Sequence, residues 1–268
     1  MKIDEVKTCK KALTHGSKFH SDDVFSAAFL QLINPEMEII RSNVVPDDFS
    51  GIVFDIGMGR FDHHMKDNEK RPNGIPYASF GKLWKYYAPE LYDEQIVTNV
   101  EKKLIEDLDL SDNTGSYNAL AFAISLFNPL KDESSADQEF KEAVKFAKII
   151  LKNIISREEQ HLKDTELVKK YYSEAPDKRI IILDEYLYTE DFLPATEAIY
   201  VIYPSNRGGY AAKGVPISAG TVKLKKPFPI SWVEKLPPYL SFCHTSRFLI
   251  KANTLNEAIH ACKEALND

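Results

Sequence analysis

The stretch Gly51-Ile52-Val53-Phe54-Asp55 is an apolar run that ends in an acid, and Asp62-His63-His64 follows it after a short loop. Such a run predicts a buried parallel strand with a carboxylate at its carboxyl end. Histidine and carboxylate side chains together suit a divalent transition metal. The stretch therefore predicts an α/β fold with a metal site at one edge of its sheet.

A second group of these residue types lies upstream, in His15-Gly16-Ser17-Lys18-Phe19-His20-Ser21-Asp22-Asp23. We expect a strand over 10–15, a helix from Ser21 and further strands near 38–42 and 52–56, which is a βαββ start. Segment 21–23 alone also fits an ordinary helix cap with an acidic first turn. Two such groups at the ends of neighbouring strands favour a two-metal hydrolase over that alternative.

A third acidic segment, 109–115, contains Asp109 and Asp112 and follows a helix predicted over 93–108. It could close the metal site from above. One of these two aspartates is expected to serve only a helix-terminal turn, and the segment alone does not say which.

The rest of the chain divides into a helical part and a strand-rich part. Further helices are predicted over 78–88, 116–127, 137–172 and 255–266, and further strands over 179–183, 198–203, 210–217 and 241–250. We therefore expect a parallel-sheet N-terminal domain with a helical extension over residues 1–175. A smaller α+β domain, expected to bind substrate, covers 176–268.

Composition narrows the classes of function. The net charge of −6 over 268 residues argues against a broadly basic nucleic-acid coat, although bound metal ions would supply local positive charge. Cys9, Cys243 and Cys262 show no metal-type spacing. Without a signal-peptide pattern or an apolar stretch of about 18 residues, we expect no membrane contact and a reducing, cytoplasmic location.

The motifs resemble those of the Myg-type proteins, labelled metal-dependent protein hydrolases or Myg exonucleases, a branch of the DHH phosphoesterase superfamily. The resemblance spans nearly the whole chain and is strongest over 13–115. It rests on these segments: Thr14-His15, Phe19-His20-Ser21-Asp22-Asp23, Phe54-Asp55-Ile56-Gly57, Arg60-Phe61-Asp62-His63-His64, Ala78–Trp84, Asp112-Asn113, Val215-Pro216 and His244-Thr245-Ser246-Arg247-Phe248.

The resemblance implies a DHH-type α/β domain and a site built from matched positions. The implied metal ligands are His15, His20, Asp22, Asp55, His63 and Asp112, with Asp55 bridging. His64 would meet the scissile phosphate, and Asp62 would orient the histidine pair. The chain departs from the family pattern at Gly16-Ser17, where the family has Asn-Gly, and at Arg247, where it has glycine.

The implied activity is hydrolysis of phosphodiesters, 3′→5′ on RNA or short oligonucleotides, by a bridging water activated between two divalent ions. Manganese is the expected metal, and zinc, iron or cobalt are compatible because His20 supplies nitrogen where the superfamily has an aspartate. The substrate contacts are expected at Arg207, Gly208, Gly209, His244 and Arg247. The rival functions are a metal-dependent phosphatase of small nucleotides and a non-catalytic metal-binding scaffold, and the sequence leaves the oligomeric state open.

Overall fold

The computed structural model describes residues 2–131 and 133–268. The chain divides into two compact units, one ending at Glu159 and the other beginning at Gln160. The first contains a parallel three-stranded sheet and the second a mixed five-stranded sheet, so the predicted α/β class is confirmed at that level. The domain boundary at 175/176 and the DHH-type assignment stay predictions.

The first unit opens with the predicted βαββ arrangement. Its elements are α1 (Lys2–Thr8), β1 (Lys11–Thr14), α2 (Ser21–Ile33), β2 (Glu38–Arg41) and β3 (Ile52–Val53). The strands run parallel in the order β2-β1-β3, and Leu13 of β1 pairs with Val53 of β3. The carboxyl ends of β1 and β3 therefore lie side by side, which brings the residues that follow each strand to one edge of the sheet.

A run of helices completes this unit. They are α3 (Ser79–Tyr87), α4 (Glu94–Val100), a π-helical segment (Glu101–Ile105), α5 (Glu106–Thr114), α6 (Ala119–Ser125) and α7 (Ala136–Glu174), which continues into the second unit. The prediction that a helix ends at 108 is wrong, because helical structure continues to Thr114 and ends at Gly115 with φ 69°. Asp109 and Asp112 are therefore helical residues. Among the described residues, no helix is both long and apolar enough to cross a membrane.

An aromatic core fixes α2 against α3. Phe25, Phe29, Phe80 and Trp84 are fully buried, and the ring centroids of Phe29 and Trp84 lie 5.1 Å apart. Aromatic side chains of this size contribute much of the apolar area that stabilises a core. This packing holds the first turn of α2 beside the ends of β1 and β3.

The second unit contains β4 (Ile180–Ile182), β5 (Tyr200–Pro204), β6 (Tyr210–Gly214), α8 (Ser231–Glu234), β7 (Phe242–Cys243), β8 (Leu249–Ala252) and α9 (Leu255–Asn267). The sheet order is β4-β5-β6-β8-β7, with only β4 and β5 parallel. The single strand predicted over 241–250 is wrong. It is two antiparallel strands joined by a turn in which Arg247 has φ 57°.

Candidate metal centre

Histidine and aspartate side chains from separate segments of the first unit meet at the carboxyl edge of the sheet. His15 directly follows β1, and Asp55 lies two residues beyond β3. The start of α2 supplies His20, Asp22 and Asp23; the loop after β3 supplies His63 and His64, and α5 supplies Asp112.

Nitrogen and oxygen atoms of these side chains form three groups, and within each group they lie within 4.8 Å of one another. The groups are His15–Asp23–Asp55, His20–Asp22–Asp112 and Asp55–His63–His64. Nε2 of His63 connects them, because it lies 3.0 Å from Asp55 Oδ1, 3.2 Å from Asp112 Oδ2 and 3.5 Å from Asp22 Oδ2. The structure thus brings all six predicted ligands together and adds Asp23.

Several carboxylate oxygens in this cluster are buried without a hydrogen bond from the described part of the chain: Asp22 Oδ1 and Oδ2, Asp23 Oδ2 and Asp55 Oδ1. The neighbouring histidine nitrogens lie outside hydrogen-bond geometry to them. Burial of unpartnered anionic oxygens is costly unless a cation pairs with them. The donor set of imidazole nitrogens and carboxylate oxygens suits a divalent transition metal, so the residues present fit the implied ions.

Burial and neighbouring charges shift the pKa values of the acids and histidines in the cluster. Burial, together with the charges of Asp55 and Asp112, raises the pKa of Asp22 well above its usual range. Burial would lower the pKa of His15, but the adjacent Asp23 and Asp55 raise it to about 10. Burial would raise the pKa of Asp55, but His15 and His63 lower it to about 2. Protons and cations therefore compete for the same oxygen and nitrogen atoms.

Asp62 holds His64 by two hydrogen bonds. Oδ1 of Asp62 accepts hydrogen bonds from the backbone N–H of His64 at 3.0 Å and from its Nδ1 at 2.8 Å. Oδ2 accepts from the N–H of Met58 at 2.7 Å. The imidazole of His64 is 59% exposed, whereas that of His63 is only 8% exposed. His64 therefore faces solvent in a fixed orientation, with Nδ1 bound to Asp62.

Two residues that lie in segments matched to the family, but were not predicted as site residues, support the histidine loop. Oδ1 of Asn113 lies 3.4 Å from Nδ1 of His63. The buried Lys82 donates to the carbonyl oxygen of Asp62 at 2.7 Å, and burial lowers the pKa of Lys82. A lysine inside the apolar motif Ala78–Trp84 is the signal that could have identified this contact.

Asp109 and Asp112 have different surroundings although one turn of α5 separates them. Oδ2 of Asp109 accepts from Nη2 of Arg71 at 2.7 Å, and Oδ1 accepts from the N–H of Gly81 at 3.3 Å. Burial raises the pKa of Asp109 to about 6 in spite of Arg71. Asp112 instead lies in the group with His20 and Asp22, which favours it as the ligand.

An open cleft of about 540 Å³ borders the cluster. Its wall includes His15, His20, Asp55 and His64, together with the cationic Lys18. An extended substrate could reach the histidines and carboxylates from this side.

The predicted substrate contacts of the second unit do not form one surface. Arg207, Gly208 and Gly209 lie in the turn between β5 and β6, where a Cβ on Gly209 would lie 2.3 Å from the carbonyl oxygen of Ala252. His244 and Arg247 lie in the turn that precedes Leu249. The two sets therefore lie at opposite ends of β8.

The hydrogen bonds of both turns are largely internal. The N–H of Gly208 donates to Ser205 O at 2.9 Å, so this amide is not free for an anion. Nδ1 of His244 accepts from the N–H of Ser246 at 3.0 Å, and Nη1 of Arg247 donates to Phe228 O at 3.4 Å. Arg207 remains an exposed cation in its turn.

Comparison with known proteins identifies the family. The profile of the MYG1_exonuc family, described as an uncharacterised protein family (UPF0160), matches residues 11–266. The chain belongs to this family. A curated relative, the MYG1 protein of Chlamydia trachomatis, is 23% identical over 283 residues, which cover 95% of this chain and 94% of the relative. The family name agrees with the expected enzyme class, a metal-dependent hydrolase.

Two solved structures are also similar, the RecJ protein of Thermus thermophilus in complex with Mg²⁺ and with Mn²⁺. Each shows 10% identity and a TM-score of 0.32, which is too low to carry an argument. All of this chain is covered in both comparisons, but only 51% and 54% of the RecJ chains. The chain therefore spans about half the length of these structures.

Proposed function

We propose that this chain is a divalent-metal-dependent phosphodiesterase that removes nucleotides 3′→5′ from RNA or short oligonucleotides. The observation that carries the proposal is the cluster of buried carboxylate oxygens without hydrogen bonds from the described residues, set among four histidines at the end of the sheet. Membership in the MYG1_exonuc family supports the same chemistry.

The proposed ligands are His15, His20, Asp22, Asp55, His63 and Asp112. Asp55 is the proposed bridge, because it belongs to two of the three groups and each of its oxygens faces a different histidine. Two bound ions, proposed to be manganese, would supply an activated water nucleophile and neutralise charge on the phosphoryl oxygens.

His64 is the proposed contact with the scissile phosphate. Asp62 accepts a hydrogen bond from Nδ1 of His64, which leaves Nε2 free; in the imidazolium form, Nε2 carries a hydrogen that it can donate toward a phosphoryl or leaving oxygen. Lys18 adds positive charge on the wall of the same cleft. Arg207 and Arg247 are proposed as phosphate contacts on separate surfaces of the second unit, because both are cationic turn residues.

The acidic net charge of −6 favours short substrates over long ones, since polyanionic RNA gains affinity from basic surfaces. The test therefore uses both lengths. Metal-stripped protein is incubated with 3′-labelled RNA, 5′-labelled RNA and a dinucleotide, with Mn²⁺, Zn²⁺, Co²⁺ or Mg²⁺ added in turn. His63→Ala is the site variant, and His260→Ala, an exposed histidine on α9, is the matched control.

We expect metal-dependent release of the 3′ label as mononucleotide in wild type and His260→Ala, and none in His63→Ala. The 5′-labelled RNA should give a ladder that shortens from the 3′ end. Cleavage of the dinucleotide alone would restrict the proposed diester hydrolysis to short substrates, whereas release of inorganic phosphate from the mononucleotide would favour the phosphatase of small nucleotides. No cleavage of any substrate by metal-loaded protein would contradict the proposal and favour a scaffold.

A further inference from the structure

Asp23 occupies a position that a helix-capping role alone does not explain. Its Oδ1 accepts the backbone N–H of His20 at 2.9 Å, as an acid in the first turn of a helix commonly does. Its Oδ2 lies 3.2 Å from Nε2 of His15, is fully buried, and has no hydrogen bond from the described residues. A cap requires only the first of these two oxygens.

The surroundings of His15 indicate which of its atoms is available. Nδ1 of His15 lies 2.8 Å from the carbonyl oxygen of Gly16, and since a carbonyl only accepts, Nδ1 carries the hydrogen. Nε2 is then the nitrogen with a free lone pair once the ring is neutral. It points between Asp23 Oδ2 and Asp55 Oδ2, each 3.2 Å away.

We infer that Asp23 is a ligand of one of the two proposed ions, together with His15 and Asp55; this inference rests on the proposed function. Two ligand atoms that bind the same octahedral ion at right angles to each other, each at about 2.1 Å from the ion, lie about 3 Å apart. The spacing of 3.2 Å from Nε2 to each carboxylate oxygen is close to this value.

This assignment changes the chemistry of the site. The set of one nitrogen and two carboxylate oxygens is rich in hard ligands. Such ligands suit manganese and magnesium better than they suit softer metals. The nitrogen that His20 brings is then found in the other group, beside Asp22 and Asp112. Asp23 thus adds a carboxylate oxygen to the group of His15 and Asp55, whereas the nitrogen of His20 belongs to the other group.

The substitution Asp23→Asn separates a ligand from a cap. Asparagine keeps an oxygen for the N–H of His20 but loses the charge of the carboxylate. The matched control is Asp93→Asn, because Asp93 caps α4 through a 2.8 Å bond from the N–H of Gln95. Mn²⁺ binding is measured by titration calorimetry and by electron paramagnetic resonance, and thermal unfolding is measured with and without Mn²⁺.

We expect wild type and Asp93→Asn to bind two Mn²⁺ ions, and Asp23→Asn to bind one of them about tenfold or more weakly. Without metal, Asp23→Asn should be no less stable than wild type, because one buried carboxylate is removed from a crowded cluster. Unchanged Mn²⁺ affinity, or an equal loss of stability with and without metal, would overturn the ligand role and leave a cap. Failure of wild type to bind Mn²⁺, Zn²⁺, Co²⁺ or Mg²⁺ in the same calorimetric titration would instead overturn the proposed function itself.

Discussion

Two buried polar regions of the first unit use aspartates in opposite ways. Around Arg71, every charged group has a partner: its guanidinium donates to Asp109 at 2.7 Å, to Glu101 at 2.8 Å and to the carbonyl of Pro76 at 3.3 Å. In the histidine–aspartate cluster, several carboxylate oxygens have no hydrogen bond from the described residues. A satisfied network is typical of structure, and an unsatisfied one is typical of a ligand site.

The backbone shows the same difference. Asp55 within the cluster, and Ser17 and Met58 beside it, have φ between 56° and 58°, a region that residues other than glycine rarely adopt. None of the residues named around Arg71 is among those with positive φ. Strain of this kind persists where the surrounding structure imposes it and is common at functional sites. Hydrogen-bond satisfaction and backbone strain together therefore distinguish the structural Asp109 from the aspartates of the proposed metal centre.

Replacement of Arg71 should have the largest effect. Arg71→Met would leave the carboxylate of Asp109 buried without its cation, so we expect the free energy of unfolding to fall by about 3 to 5 kcal/mol. Urea unfolding in the presence of EDTA measures this loss. Mn²⁺ binding by the folded protein should be retained, because Arg71 contacts none of the proposed ligands in the described structure.

A double substitution checks the physical cause of that loss. If the isolated charge of Asp109 is responsible, Arg71→Met with Asp109→Asn should lose less stability than the sum of the two single changes. Additive losses would show that Arg71 acts through packing on Tyr77, whose ring centroid lies 3.9 Å from its guanidinium carbon.

Replacement of Asp62 should lower turnover without changing the number of bound ions. Asp62→Asn places an amide group where two N–H groups and the imidazole of His64 now donate, so the imidazole loses its fixed orientation. We expect kcat to fall about 10- to 100-fold, with the number of bound Mn²⁺ ions unchanged. Steady-state cleavage of the labelled RNA measures this, and Asp67→Asn, an exposed loop residue, is the control. Unchanged kcat would argue against a role for His64 at the phosphate.

The parts of the site at strand ends could be predicted from sequence. His15 and Asp55 follow predicted strands, and parallel strands bring their carboxyl ends to one edge of the sheet. Asp112 could not be separated from Asp109 in this way, because the choice depends on where Arg71 and Gly81 lie in space. Asp23 belongs to the upstream group of metal-type residues but not to the predicted ligands, because the direction of its second oxygen has no signature in the sequence.

The second unit shows why turns were harder to predict than strand ends. Cys243, Phe248, Leu249 and Ile250 gave 241–250 the character of one apolar strand. No glycine or proline marks the turn, because Arg247 adopts the left-handed conformation that glycine usually provides. The glycines at 208 and 209 suggested an anion site, yet they serve a tight hairpin packed against Ala252.

The smallest expected effect concerns strain at the metal centre. Ser17 has φ 58°, and its hydroxyl makes only a long contact of 3.5 Å with Asn43. Because glycine adopts this conformation without a Cβ clash, Ser17→Gly should raise the free energy of unfolding by about 1 kcal/mol. The control is the opposite change, Gly115→Ala, at a residue with φ 69° where an added Cβ would have no atom within 4 Å. We expect this variant to lose about 1 kcal/mol of the free energy of unfolding, through backbone conformation alone. Urea unfolding of both variants in EDTA measures whether the free energy of unfolding rises in Ser17→Gly and falls in Gly115→Ala. A loss of stability in Ser17→Gly would mean that the contact with Asn43 outweighs the backbone strain, and the contrast with the Arg71 network would then rest on the unpartnered carboxylates alone.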